Sequence, residues 1–432
     1  AGGLPPTGEE TTMMPVEDNE LLVRVGPGTA MGNLFRRFWL PVMLTSEVAE
    51  PDGPPVRLRI LGEDLVAFRD SDGRVGVLDA YCTHRRAHLF WGRNEECGLR
   101  CVYHGWKFDV NGNCVDLPNA PNGDRIKANM KTRAFPTIER GGMVWAYFGP
   151  EELRPELPAA EVFEAPDSHR HMVKLIAHGN YLQFAEGDID SSHVSFLHSR
   201  LDGVALAGSR LNAFAFQDRS PRWTVRPTDY GLMLAAQRDA GADKYSWRIN
   251  QWLLPMATMV AAPHDSPFIT NIRVPIDDEN SILFRVWTHP DRPLNEAERA
   301  TANAGIIIPE MIPGTFEPVA NRSNDYLIDR HDQKHQTFTG IKAIPVQDLA
   351  VTQSQGPGPI ADRSLEKLTM SDIAIVAMRK RLLDTAKALM NGVEPPEASK
   401  PQSYRVRPID TILPRDVAVE DATRPMTVRL VA

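Results

Sequence analysis

Two short pairs of metal-ligating residues constrain this chain more than any other feature. They are Cys82-x-His84 and Cys101-x-x-His104, with sixteen residues between the pairs. Each pair offers one thiolate and one imidazole. Two facing loops could therefore close a [2Fe–2S] cluster in which one iron takes both sulfurs and the other both imidazoles. A Cys2His2 zinc site is the alternative. Zinc fingers pair Cys with Cys and His with His within each loop, so the mixed pairs favour the cluster. A fold carrying them must bring two loops face to face, as the hairpins of a small β domain do. The surrounding sequence has that pattern: Val56-Arg-Leu-Arg-Ile60 alternates, Asp72-Gly73 and Asn111-Gly112 are turn signals, and Met143-Val-Trp-Ala-Tyr-Phe148 closes the region.

All four cysteines (Cys82, Cys97, Cys101 and Cys114) fall within 33 residues, which suits metal binding better than a disulfide framework. Cys97 and Cys114 have no His two or three positions later and read as structural thiols; His88 lies outside both pairs and reads the same way. At 432 residues the chain has room for two domains. A net charge of −8 argues against a large nucleic-acid surface. Nothing approaches the roughly 18–20 apolar residues of a membrane span. A soluble, cytoplasmic protein with no nucleic-acid or membrane partner is the expectation.

A second constellation lies downstream, Asp190-x-x-His193-x-x-x-x-His198. A mononuclear Fe(II) that activates dioxygen commonly takes two His and one carboxylate on one face and leaves positions open. On a helix Asp190 and His193 share a face. His193 and His198 would diverge by about 140° at 3.6 residues per turn, so the helix must end or open near Ser195–Leu197 for both to reach one ion.

These motifs, with Gly105-Trp106-Lys107-Phe108 after the second pair, resemble the Rieske non-haem iron aromatic ring-hydroxylating oxygenases. The similarity is to the large (alpha) subunit of the phthalate dioxygenase type. Asn180, Gln183 and Glu186 match the residues that precede the Asp-His-His motif there; Tyr181 stands where Trp is frequent, and Arg86 where many relatives have Gly. The resemblance implies that Cys82, His84, Cys101 and His104 hold the cluster and that His193, His198 and Asp348, the Asp after Gln347, hold Fe(II). Asp362 and Asp372 are competitors for the carboxylate, but each stands at a helix start, where capping explains it. Asp190 would accept a hydrogen bond from a cluster His of a neighbouring subunit and so bridge the electron path. Asn180 is the other catalytic candidate.

The implied fold is α+β: a small all-β Rieske domain, then a catalytic domain of antiparallel sheet surrounded by helices, of helix-grip type. Residues 1–18 read as a flexible tail, 19–155 as the Rieske domain with an N-terminal helix, and 156–432 as the catalytic domain with a C-terminal extension. Residues 151–167 look like a linker, and 391–432 are expected to reach a neighbour. Strands are expected at 223–226, 231–235, 245–249, 258–261 and 282–287. Their arginines (Arg222, Arg226, Arg238, Arg248 and Arg285) read mostly as solvent-facing. Arg248 and Arg219 are the candidates to grip a substrate carboxylate through paired hydrogen bonds. Residues 291–345 are expected to cover the pocket.

The function implied is an oxygenase component that uses dioxygen, and electrons from a separate NAD(P)H-dependent reductase or ferredoxin, to oxidise an aromatic carboxylic acid. Ring hydroxylation of phthalate-like acids leads; O-demethylation of methoxylated aryl acids is the alternative, and a bare electron carrier the remote one. Homotrimers, or hexamers built from them, are the implied assembly.

Overall fold

The computed structural model describes residues 13–428, apart from 204–212, 304 and 306. Its first unit is built from short strands and tight turns. One sheet joins Trp39–Leu44, Met143–Tyr147 and Thr137–Arg140; another runs Val56–Ile60, Glu63–Arg69, Val75–Asp79 and Ala134–Phe135. A third runs Arg93–Glu95, Gly98–Arg100, Lys107–Phe108 and Cys114–Asp116. Both expected turns are present. Gly112 takes φ 77°, and a Cβ there would stand 2.2 Å from the Thr132 carbonyl oxygen, so only glycine fits.

The second unit is an eight-stranded antiparallel sheet. Seven strands follow the order Arg170–His178, Asn280–Thr288, Phe268–Pro275, Ala257–Val260, Lys244–Leu253, Gly231–Asp239 and Arg222–Thr228. Ile409–Pro414 pairs with Lys244–Leu253, so this part of the C-terminal region completes the chain's own sheet. The helix Tyr181–Ile189 packs on the sheet, and the helices Ile344–Thr352 and Ile373–Met390 pack on it in turn. The architecture is thus a small all-β domain beside a larger domain of antiparallel sheet and helices.

All five expected strands form. Two more, Arg170–His178 and Phe268–Pro275, escape a pattern search because charged residues sit on their buried faces. Lys174 is buried because its ammonium lies 2.8 Å from Glu47 of the small domain, and Arg273 because Asp188 holds it at 2.7 Å. The same physics overturns the reading of the sheet arginines. Arg222 and Arg226 are exposed, but Arg238, Arg248 and Arg285 are buried, each with a fixed partner.

The helix Val16–Val23 begins inside the segment expected to be a tail. Its Leu22 and Val23 are fully buried, and burial of such side chains stabilises by roughly 1.5–3 kcal/mol each. It packs on the helices Ile373–Met390 and Tyr181–Ile189. The stretch read as a linker is also packed, with Leu157, Ala160, Val162 and Phe163 buried. One apolar cluster, including Trp39, Trp145, Phe163, Tyr181, Trp252 and Met378, runs through both units.

Glu186, on the helix Tyr181–Ile189, is 4% exposed and meets Arg363 at 2.8 Å and Arg379 at 2.7 Å. Burial would raise its carboxyl, but the two guanidiniums outweigh that and hold it below the usual range. Glu186→Gln leaves buried Arg363 without a carboxylate partner and Arg379 with Glu366 alone, and is expected to destabilise the fold by about 3–5 kcal/mol at neutral pH, read by urea unfolding. A depressed folded-state pKa contributes stability above the unfolded value near 4.3 and loses it as pH falls through the folded one. The gap between wild type and variant should therefore narrow in acid.

Candidate active site

The Cys82 loop leaves the strand Val75–Asp79 and folds back through Cys82 N–H to Ala87 O (2.9 Å) and Arg86 N–H to Cys82 O (2.9 Å). Arg86 takes φ 61° there, a conformation that glycine adopts at less cost, and lays its guanidinium over the Tyr81 ring. The Cys101 loop joins Gly98–Arg100 to Lys107–Phe108 in the same way, with Cys101 N–H to Trp106 O at 2.8 Å and Gly105 N–H to Cys101 O at 2.9 Å. At Gly105, φ is 80° and a Cβ would strike Pro118 at 2.7 Å.

The two loops face each other. The His84 and His104 rings lie 4.5 Å apart, and His84 stacks on Trp106 at 4.7 Å. Cys82 and Cys101 are buried side by side, and burial pushes the Cys82 thiol up to about 11. The His84 Nδ1 atom is buried without a hydrogen-bond partner. A buried imidazole nitrogen left unpaired and two adjacent inward thiols fit a group that deprotonates the sulfurs and takes the nitrogen lone pairs. Val102 and Tyr103, beside His104, are exposed, so the second loop stands at the protein surface. Arg100, expected to place charge by the cluster, is engaged by Glu95 and Asp116. His88 caps a turn by accepting from Phe90 N–H, and Arg93 is an exposed partner of Glu95.

The downstream motif is laid out differently from the helix expected of it. The helix Tyr181–Ile189 ends before Asp190, which is its extended C-cap (φ −72°, ψ 111°), so Asp190 and His193 do not share a helical face. His193 then caps a new short helix, Val194–Leu197, and His198 closes it. The break near His198 is the one that a shared metal requires. Asp348 arrives from the helix Ile344–Thr352, whose first turn carries Pro345, a residue suited to that position.

The three donors converge. His193 Nε2 and His198 Nε2 are 3.2 Å apart; Asp348 Oδ1 is 3.7 Å from the first and 3.2 Å from the second. Ligands about 2.0–2.2 Å from one ion and at right angles stand about 3 Å apart. Gln347 donates to Ile341 O, which turns its Oε1 toward His198 Nδ1 at 2.8 Å. That nitrogen carries the proton, and Nε2 keeps its lone pair for the shared point. Asp190 Oδ2 lies 3.4 Å from His193 Nδ1 and sets the second imidazole the same way, while Oδ1 accepts Ser192 N–H at 2.6 Å. The donor set fits a mononuclear Fe(II). Gln347, which the sequence offered only as a signpost, orients His198; its amide next to the candidate carboxylate Asp348 was the available signal.

A cavity of about 130 Å³ opens onto this triad. Its walls include Val260, Ala262, Phe268, Ile269 and Ile307, with Arg248, Asn250 and Arg285 as polar members. An engineered apolar cavity of about 150 Å³ holds benzene, so one aromatic ring is the right size. Of the long connection 291–345, Ile307 and Ile344 reach the cavity. Arg248 is buried 3.4 Å from Asp410, and its Nε has no partner. Arg219 is not among the lining residues described; it lies over the Phe196 ring. Asn180 also stands apart from the triad. Its Oδ1 caps the helix by accepting Leu182 N–H, and its amide donates to Val23 O and Asp278 O, so its capacity is spent on structure. Asp362 and Asp372 cap helical turns, as expected.

A thiolate–imidazole site on a small β domain, followed by a His-His-carboxylate site under a sheet, defines a Rieske-type oxygenase. The Rieske [2Fe-2S] domain family matches residues 38–136, and the family described as LigXa C-terminal domain like matches residues 146–421. The chain belongs to the Rieske oxygenase alpha subunits. It is 42% identical to the phthalate 4,5-dioxygenase oxygenase subunit of Pseudomonas putida, over 88% of each chain. It is 39% identical to the 3-chlorobenzoate-3,4-dioxygenase oxygenase subunit of Comamonas testosteroni, over 90% of this chain and 92% of that one. The crystal structure of dicamba monooxygenase bound to dicamba shares the fold, with a TM-score of 0.55 and 19% identity over 83% of this chain and 98% of that one. The protein is therefore an oxidoreductase that incorporates dioxygen, the oxygenase component of an aromatic ring-hydroxylating system, with a [2Fe–2S] cluster and a non-haem iron as its cofactors. Among the described residues, no helix is long and apolar enough to cross a membrane.

Proposed function

We propose that this chain hydroxylates the ring of a phthalate-like aromatic carboxylic acid. The observation that carries the reading is Arg248: a buried guanidinium with an unpartnered Nε, lining the same ring-sized cavity as the His193–His198–Asp348 triad. A substrate carboxylate would complete its hydrogen bonding through two parallel N–H···O bonds. The apolar wall of Val260, Phe268, Ile269 and Ile307 packs against the ring and turns its far edge toward the triad.

Cys82, His84, Cys101 and His104 hold the cluster and His193, His198 and Asp348 the Fe(II); when bound, the first supplies single electrons and the second activates dioxygen. Gln347 and Asp190 keep the imidazole protons on the far nitrogens. Asp190, partly exposed, also accepts a hydrogen bond from a cluster His of a neighbouring protomer in a homotrimer. Electrons come from a separate NAD(P)H-dependent reductase or ferredoxin.

The test is turnover of phthalate-like acids with reductase, NADH and labelled dioxygen. Two labelled oxygens in one product support ring dihydroxylation. Formaldehyde from a methoxylated acid, with phthalate-like acids untouched, would replace this reading by O-demethylation. Arg248→Lys keeps a cation beside Asp410 but loses the planar fork. A hydrogen bond to a charged group contributes about 1.5–3 kcal/mol, so KM for the acid should rise roughly ten- to a hundredfold while kcat changes less, measured by steady-state kinetics.

A further inference from the structure

We propose that a second cavity at the triad, separate from the aromatic pocket, is the route by which dioxygen reaches the metal. The inference rests on the reading of the triad as the oxygen-activating centre and of the first cavity as the seat of the acid. The second cavity has a volume of about 110 Å³ and shares Gly187, Asp188, Asp190, His193, Arg285 and Asp348 with the first, so the two meet at the triad and diverge beyond it. Where the aromatic pocket is walled by residues 260–262 and 267–269, the second is walled by Leu175, Phe184, Leu197, Leu283 and Leu349. Its mouth is at Val351 and Gln355, both exposed, Val351 by 42%.

Two physical points favour dioxygen as the occupant. First, a ring filling the 130 Å³ pocket corks it, so a co-substrate that arrives second needs another way in. Second, two of the charged groups in the second cavity, Asp188 and Arg273, bond to each other, and Arg285 is held by Asn271 Oδ1 and the Ile307 carbonyl. Asp188 takes two bonds from Arg273 (2.7 and 2.8 Å) and one from Asn271 (2.7 Å), and the Arg273 guanidinium lies over the Phe184 ring. What remains facing the space is largely apolar, which suits a small neutral molecule better than ordered water. Gly187 and Thr352 lie close together in its wall, where a Cβ on Gly187 would stand 3.3 Å from Thr352 Cγ2.

Two measurements test the route. Crystals of the full chain pressurised with xenon, an apolar stand-in for dioxygen, should show xenon among Phe184, Leu283 and Leu349. Val351→Trp adds bulk at the mouth without opening the core. It should raise KM for dioxygen at least about fivefold, with KM for the aromatic acid and kcat at saturating dioxygen unchanged. Absence of xenon from this cavity, an unaltered dioxygen dependence in a folded variant, or a rise confined to the KM of the acid would overturn the proposal. Failure of the underlying functional reading would look different, since wild type would then not oxidise the acid whatever the xenon shows.

Discussion

Asp348→Ala is expected to abolish turnover while leaving the Rieske centre intact. Asp348 Oδ1 is the only carboxylate oxygen that joins His193 and His198 in a three-donor group among the described residues. With it gone, two imidazoles remain and the negative charge that would balance a divalent ion is lost. Losing an outer partner of a metal ligand typically costs 10–100-fold in affinity or activity; losing the ligand itself should exceed that, to more than about a hundredfold in kcat/KM. Iron analysis should show loss of the mononuclear ion, and the reduced cluster should keep its paramagnetic signal. Gln347→Ala, which removes the partner of His198 Nδ1, should fall within the 10–100-fold range and give the internal comparison. An Asp348→Ala protein that keeps its mononuclear iron would reassign the carboxylate.

Asp190→Asn should come close to that in effect, for a different reason. One carboxylate oxygen accepts Ser192 N–H and the other faces His193 Nδ1. An amide has a single acceptor oxygen, so whichever way the substituted side chain turns, its NH2 confronts a donor. The cheaper escape is for His193 to move its proton to Nε2, the atom aimed at the shared metal point. Where an analogous substitution traps a catalytic imidazole in the wrong tautomer, the loss is about 10⁴-fold. A fall of about 10²–10⁴-fold in coupled turnover is expected, with the cluster still reducible by the reductase. Stopped-flow reduction of the cluster, followed by single-turnover product analysis, separates the two steps. Full-speed oxidation by the variant would remove Asp190 from both the tautomer and the electron path.

Spacing along the chain was enough to locate both candidate metal motifs and the hairpins around the first. A Cys and a His one or two residues apart share a loop whatever the fold, and the turn glycines and alternating strands around them specify hairpins. Asp190, His193 and His198 were legible for the same reason, and the requirement that two His five apart reach one ion located a break. Charge defeated the pattern elsewhere. Arg238 and Arg285 read as solvent-facing because alternation treats a charge as exposed, and the strands of Lys174 and Arg273 were missed; yet each of the four is buried against a partner on another element. Asn180 looked catalytic by its neighbours in the sequence and proved to be the cap that ties the helix Tyr181–Ile189 to residue 23. Only the tertiary structure decided where the helix stops before Asp190, that Gln347 orients His198 across 149 positions, and that Arg285 lines the ring-sized cavity beside Arg248. Short-range geometry is written in residue spacing, whereas the burial of a charge depends on a partner that the chain must fold to reach.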